Sequence, residues 1–145
     1  MDDGYWKNAY DCRGQLTNSV RRWSDNVLVA GEQYFYACDD IGNRKSTSQG
    51  GHSQGLNLRT ASYTNNTLNQ IIGRAVPGKV DIIGTSTAAN TVTVNGNTAH
   101  RRGSFFRHEL TISNSATNAA WTSVTVSADT SKSGNLLTPP AGQNF

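Results

Sequence analysis

Long apolar runs are missing from this chain of 145 residues. Only 35% of it is hydrophobic, and no stretch approaches the roughly 20 apolar residues that a membrane-spanning helix needs. The motifs that announce common chemistries are missing too. There is no G-x-S-x-G nucleophile elbow, no phosphate-binding loop and no H-E-x-x-H pair. The two cysteines, Cys12 and Cys38, lack C-x-x-C spacing, which argues against a zinc or thioredoxin-type site. His52, His100 and His108 are too scattered for a metal signature, so neither a metal nor another cofactor is expected. The start, Met1-Asp2-Asp3-Gly4-Tyr5-Trp6, is acidic and polar, unlike a signal peptide. If the parent protein is exported, its targeting segment is expected outside this chain.

What is present is polar, aromatic and mildly basic. Ser, Thr, Asn and Gly are abundant, while three Trp, five Tyr and four Phe are spread along the chain. A disordered chain would be poorer in aromatics and richer in net charge, so a thin-cored, loop-rich β protein is expected. The length suits one domain or two small modules. The formal charge is +3 and the isoelectric point about 9.1, with cations dispersed except at Arg21-Arg22, His100-Arg101-Arg102 and Arg107-His108. Nucleic-acid binding needs a basic stripe with interleaved aromatics, so a nucleic acid is not an expected partner; nor is a membrane.

One stretch organises the first half: Tyr36-Ala37-Cys38-Asp39-Asp40-Ile41-Gly42-Asn43-Arg44-Lys45. It is echoed earlier by Tyr10-Asp11-Cys12-Arg13-Gly14-Gln15-Leu16 and later by Tyr63-Thr64-Asn65-Asn66-Thr67-Leu68-Asn69-Gln70. Each echo reads as a strand, a tight turn and a return strand. Asp and Asn bond the turn's own backbone N–H groups, and Gly accepts a positive φ. Gly14 and Gly42 lie 28 residues apart, within the period of stacked repeat architectures.

These D-x-x-G turns with a preceding Tyr, the D-D-I-G-N-R-K run and the Y-T-x-N-x-L-N-Q run resemble Rhs/YD-repeat proteins. The resemblance covers roughly residues 5 to 75. It implies a bacterial surface or secreted protein whose β-hairpins wind into a shell that encloses a toxin or binds carbohydrate. The sequence departs from the pattern at Cys38, where the repeat carries Tyr, and at Thr67, where a third repeat would carry Gly. Three units are too few to close a shell. Because Cys12 and Cys38 sit in or beside equivalent turns, a disulfide and two free thiols both stay open.

Residues 46–55 (S-T-S-Q-G-G-H-S-Q-G) read as a mobile linker. Two short helical pieces are candidates, at 18–23 and at 68–76, although Val20, Trp23, Ile71 and Ile72 suit strands as well. From Lys79 the pattern becomes short alternating strands: 80–84, 91–94 closed by Asn95-Gly96, 104–112 and 121–126. The order T-V-T-V-N-G, G-S-F-F-R-H-E-L-T and W-T-S-V-T-V-S-A resembles bacterial Ig-like modules. The fold expected is therefore all-β: short YD-type β-hairpin repeats over 1–78, an Ig-like β-sandwich-type module over 79–129, and an extended tail over 130–145. Tyr36, Ile41, Val92, Val94, Phe106, Leu110, Val124 and Val126 are the expected core.

Candidate chemistry is sparse. Asp39, Asp40 and Glu109 are the acid–base candidates if the chain is a small glycan-directed hydrolase, a chemistry that needs two carboxyls facing each other across a cleft. Asp39 and Asp40 are adjacent and diverge on a strand or a turn, so a structural task for Asp39 competes with a catalytic one. Trp6, Trp23, Tyr34 and Trp121 are the candidate ligand-binding residues, because flat aromatic faces stack on sugar C–H groups; packing in the core is the competing task. The function expected is a non-enzymatic structural or adhesive module with a glycan or protein partner. A self-associating β module that forms homo-oligomers through open sheet edges is the further alternative.

Overall fold

In a computed structural model, residues 4–112 and 120–130 are described. Every element among them is a strand or a turn, so the fold is all-β, as expected from the sequence. The chain divides into two compact units, one ending at Lys79 and the other starting at Val80.

The first unit is a six-stranded antiparallel meander: β1 (Tyr5–Tyr10), β2 (Leu16–Arg22), β3 (Leu28–Cys38), β4 (Arg44–Gly50), β5 (Leu58–Asn65) and β6 (Ile71–Arg74), hydrogen-bonded in that order. One turn geometry makes all five connections. The first turn residue's N–H donates to the carbonyl of the fifth, and the fourth residue's N–H donates back to the carbonyl of the first. This holds at residues 11–15, 23–27, 39–43, 52–56 and 66–70. The fourth residue has positive φ in every case: Gly14 at 79°, Asn26 at 69°, Gly42 at 93°, Gly55 at 80° and Asn69 at 62°. Such loops suit hairpins because a type I turn followed by a left-handed residue matches the strand twist. Only Gly, or Asn with its short polar side chain, adopts that conformation at little cost.

Direction alternates along a meander, so the turns at 11, 39 and 66 share one end of the sheet. Those three are alike beyond the turn itself, since each is preceded by a register shift at the same place: Ala9/Tyr10, Ala37/Cys38 and Thr64/Asn65. The residue matching Gly42 is therefore Asn69; Thr67 is the second residue of its turn. Neither helical candidate forms. Residues 18–22 lie in β2, and the 68–76 segment holds the end of a turn and then β6, because the Asn66–Gln70 loop reverses the chain inside it. Nor are residues 46–55 a linker: 46–50 belong to β4 and 52–55 to the fourth turn.

The unit's interior is thin, as few aliphatics allow. Val20, Trp23, Val29, Ala30 and Ala61 are each buried, as is Gln33. Ile41, expected in the core, is 71% exposed at the third turn's tip.

The second unit holds a three-stranded sheet of β10 (His100–Arg102), β11 (Phe105–Thr111) and β7 (Lys79–Thr85). A second sheet comprises β12 (Val126–Asp129), β8 (Thr91–Val94) and β9 (Asn97–Thr98). Asn95-Gly96 turns β8 into β9. Val92, Val94, Ala99 and Phe106 form the core, with Ile82 against it. Val124 and Val126 are exposed, and the last strand begins at Val126 instead of Trp121. Most of the expected tail, residues 131–145, lies outside the described residues.

Candidate functional site

Asp39 opens the third turn, and its carboxylate is turned inward on the loop. Its Oδ1 accepts the N–H groups of Ile41 (3.1 Å) and Asn43 (2.7 Å), and its Oδ2 accepts the Asn43 side-chain amide (3.0 Å). Desolvation opposes ionisation here. The Asn43 side chain and the backbone N–H groups of Asn43, Ile41 and Gly42 outweigh it, and hold the carboxyl below its ordinary value of 3.8. The first and fifth turns repeat the cage. Asp11 Oδ1 accepts from Arg13 and Gln15 N–H, and Asn66 Oδ1 from Leu68 and Gln70 N–H. Adjacent turns are also tied laterally: Arg13 reaches the Asp40 carbonyl and carboxylate, and Asn43 Nδ2 donates to Asn69 Oδ1 at 3.0 Å.

Within the first unit, Asp39 and Asp40 take different partners. Asp40 is fully exposed, with Arg13 at 3.5 Å. Glu109 belongs to the other unit, where it and Asp81 flank the buried Arg107. The guanidinium Nη2 lies 2.6 Å from Asp81 and 3.1 Å from Glu109, and Nε donates to Asp81 at 2.8 Å. Asp39 is tied into its own turn, and Glu109 into its contact with Arg107.

The aromatic candidates divide. Trp6 and Tyr34 come together, with ring centroids 6.0 Å apart and planes tilted by 33°. Trp6 is about half exposed. Tyr34 lies in a row across five strands, Asn8–Ser19–Tyr34–Gln49–Arg59, which sets amide and hydroxyl groups beside the rings. Tyr36 and Tyr63 continue this face under the guanidinium groups of Arg44 and Arg74, 4.7 and 5.5 Å from the ring centroids. Trp23, by contrast, is buried and opens the second turn, so its ring offers no face to a ligand. Trp121 is 88% exposed in the other unit.

Sequence reading passed over the opposite face. There two rows, Lys7–Val20–Gln33 and Ala9–Asn18–Phe35, floor a cavity of about 280 Å³ walled by Arg22, Leu28 and Gly55. No motif marks it, because its residues come from three strands and a turn. The alternation of Lys7 with Trp6 and of Gln33 with Tyr34 is the only trace in the sequence.

Cys12 and Cys38 are free thiols. Among the described residues no three His, Cys, Asp or Glu side chains converge on a point suited to a metal ion, and no helix is long and apolar enough to cross a membrane. The basic doublets are engaged within the fold: Arg21 pairs with Glu32 at 2.9 Å, and Arg101 donates to the carbonyls of Asn90, Ser86, Thr87 and Gly103. Compared with known proteins, the chain matches no family, no curated protein and no solved structure.

Proposed function

We propose that the chain is a non-enzymatic structural module of the Rhs/YD-repeat kind, part of a bacterial surface or secreted protein, with an Ig-like second unit. One observation carries this reading. Three turns with the same backbone bonds, the same side-chain cage and the same preceding bulge recur at Asp11, Asp39 and Asn66, 28 and 27 residues apart. A repeated unit that contacts only its neighbours is the mark of a scaffold that grows by addition. The Trp6–Tyr34 face, with Asn8 and Gln49 beside it, is the adhesive surface of such a scaffold and suits a glycan partner.

The free edges support a second, compatible reading. Among the described residues β1 and β6 each have one sheet neighbour, and Ile71 and Ile72 on β6 are exposed at 57% and 65%. A sheet edge is a template for pairing with another chain, so self-association through β6 or β1 is a second form of partnership for this module.

The test of the non-enzymatic reading is a turnover screen of the purified protein on α- and β-linked aryl glycosides and simple esters, with Asp39→Asn, Asp40→Asn and Glu109→Gln alongside. No turnover above the buffer rate is expected in any of them. Turnover by the unaltered chain that disappears in one of these folded variants would establish the hydrolase instead.

A further inference from the structure

We infer that the cavity on the Lys7–Val20–Gln33 face is a binding site for a small carboxylate that also carries an O–H or N–H donor and a short apolar skeleton. This goes beyond the scaffold reading and does not depend on it. Two observations meet here.

The first is a pair of buried polar atoms without a partner in the protein, Gln33 Oε1 and Arg22 Nε, both on residues that line the cavity. Gln33 is fully buried, and its amide orientation is fixed because Nε2 donates to the His52 carbonyl at 2.6 Å. Flipping the amide would set oxygen against oxygen. The carbonyl end therefore points away from His52 and lies beside Gly55, where a Cβ would stand 3.9 Å from it. A buried acceptor left without a donor is costly and rare in folded proteins. A ligand O–H or N–H is the group that would satisfy it.

The second is charge. Lys7 and Arg22 both line the cavity and no carboxylate does. Arg22 uses Nη1 on the Asn26 carbonyl of the second turn, while its Nε has no acceptor. A carboxylate set between Lys7 and Arg22 supplies that acceptor in a charge-assisted bond. Val20, Leu28 and Phe35 provide the apolar wall. A volume of about 280 Å³ is at the small end of ligand pockets, so the ligand is a single small acid, not an oligomer.

The test uses the full chain, labelled with ¹⁵N and titrated with phenyllactate, with phenylpropionate (no O–H) and with 2-phenylethanol (no carboxylate). Phenyllactate is expected to give saturable shifts at the amides of Lys7, Val20, Gln33 and Phe35. Phenylpropionate should bind about tenfold more weakly, the usual effect of one lost buried hydrogen bond, and 2-phenylethanol should give no saturable shift. Lys7→Gln, a change on the exposed rim, should weaken phenyllactate about tenfold while leaving the rest of the spectrum in place. No saturable shift with phenyllactate, shifts centred on Trp6 and Tyr34, or equal affinities in the unaltered chain and Lys7→Gln would each overturn the assignment.

Discussion

At the scale of the residue, the fourth turn position explains most of what the first unit needs from its sequence. Gly42 stands at φ 93° and its counterpart in the fifth turn is Asn69 at 62°. Replacing Gly42 by Ala is expected to destabilise the chain by about 1 kcal/mol, because a Cβ in the left-handed region is strained. Gly42→Asn should be milder, since Asn already fills this position twice; urea midpoints of the two variants give the order. Asp39 supplies a pH signature. Its folded pKa is depressed, so its contribution is complete above the ordinary carboxylate value of 3.8 and is lost as pH falls through the lower folded value. The difference in melting temperature between the unaltered chain and Asp39→Ala should hold steady from neutral pH to about 4 and shrink below it. A difference that grows on acidification would mean that the cage does not stabilise the ionised form.

At the scale of the element, the second unit depends on one buried cation. Arg107 is 3% exposed between Asp81 and Glu109, so Arg107→Ala leaves two acidic groups facing each other and should cost about 3–5 kcal/mol. Glu109→Gln keeps the shape and should cost far less; chemical denaturation of both variants measures the gap. Elements were unevenly legible in the sequence. The first and third turns were plain because Asp and Gly stand at their first and fourth positions. The second and fourth were not, since Trp23 and His52 begin them, and Asp25 answers Val27 N–H from the third position. Composition made residues 46–55 look like a linker, yet Ser46, Ser48 and Gln49 pair across to β5, and Ser48 bonds Thr60 at 2.7 Å. The 68–76 stretch offered a helix that the Asn66–Gln70 turn interrupts, while Ile71 and Ile72, which suited a strand as well, stand in β6. The Trp6–Tyr34 pair was present only as two separate aromatics, because their closeness depends on register across β1, β2 and β3. Arg107 with Asp81 joins residues 26 apart, which no local pattern reveals.

At the scale of the whole molecule, each unit buries little, and among the described residues β1 and β6 pair on one side only. Sedimentation velocity over a hundredfold concentration range should show a monomer giving way to larger species, and charging the edge with Ile72→Lys should hold the monomer. A strict monomer throughout would remove the self-association reading and leave the scaffold intact. The claim on which the account turns is that Asp11, Asp39 and Asn66 are repeats of one structural device. The most direct measurement is the thermal melt of Asp11→Ala, Asp39→Ala and Asn66→Ala, with Asp39→Asn beside them. The account predicts that all three alanine variants melt below the unaltered chain and that Asp39→Asn lies between, keeping the Oδ1 bonds to Ile41 and Asn43 but losing the Oδ2 bond to the Asn43 amide. An Asp39→Ala variant with unchanged melting would contradict it, and would return that carboxylate to the candidates for chemistry.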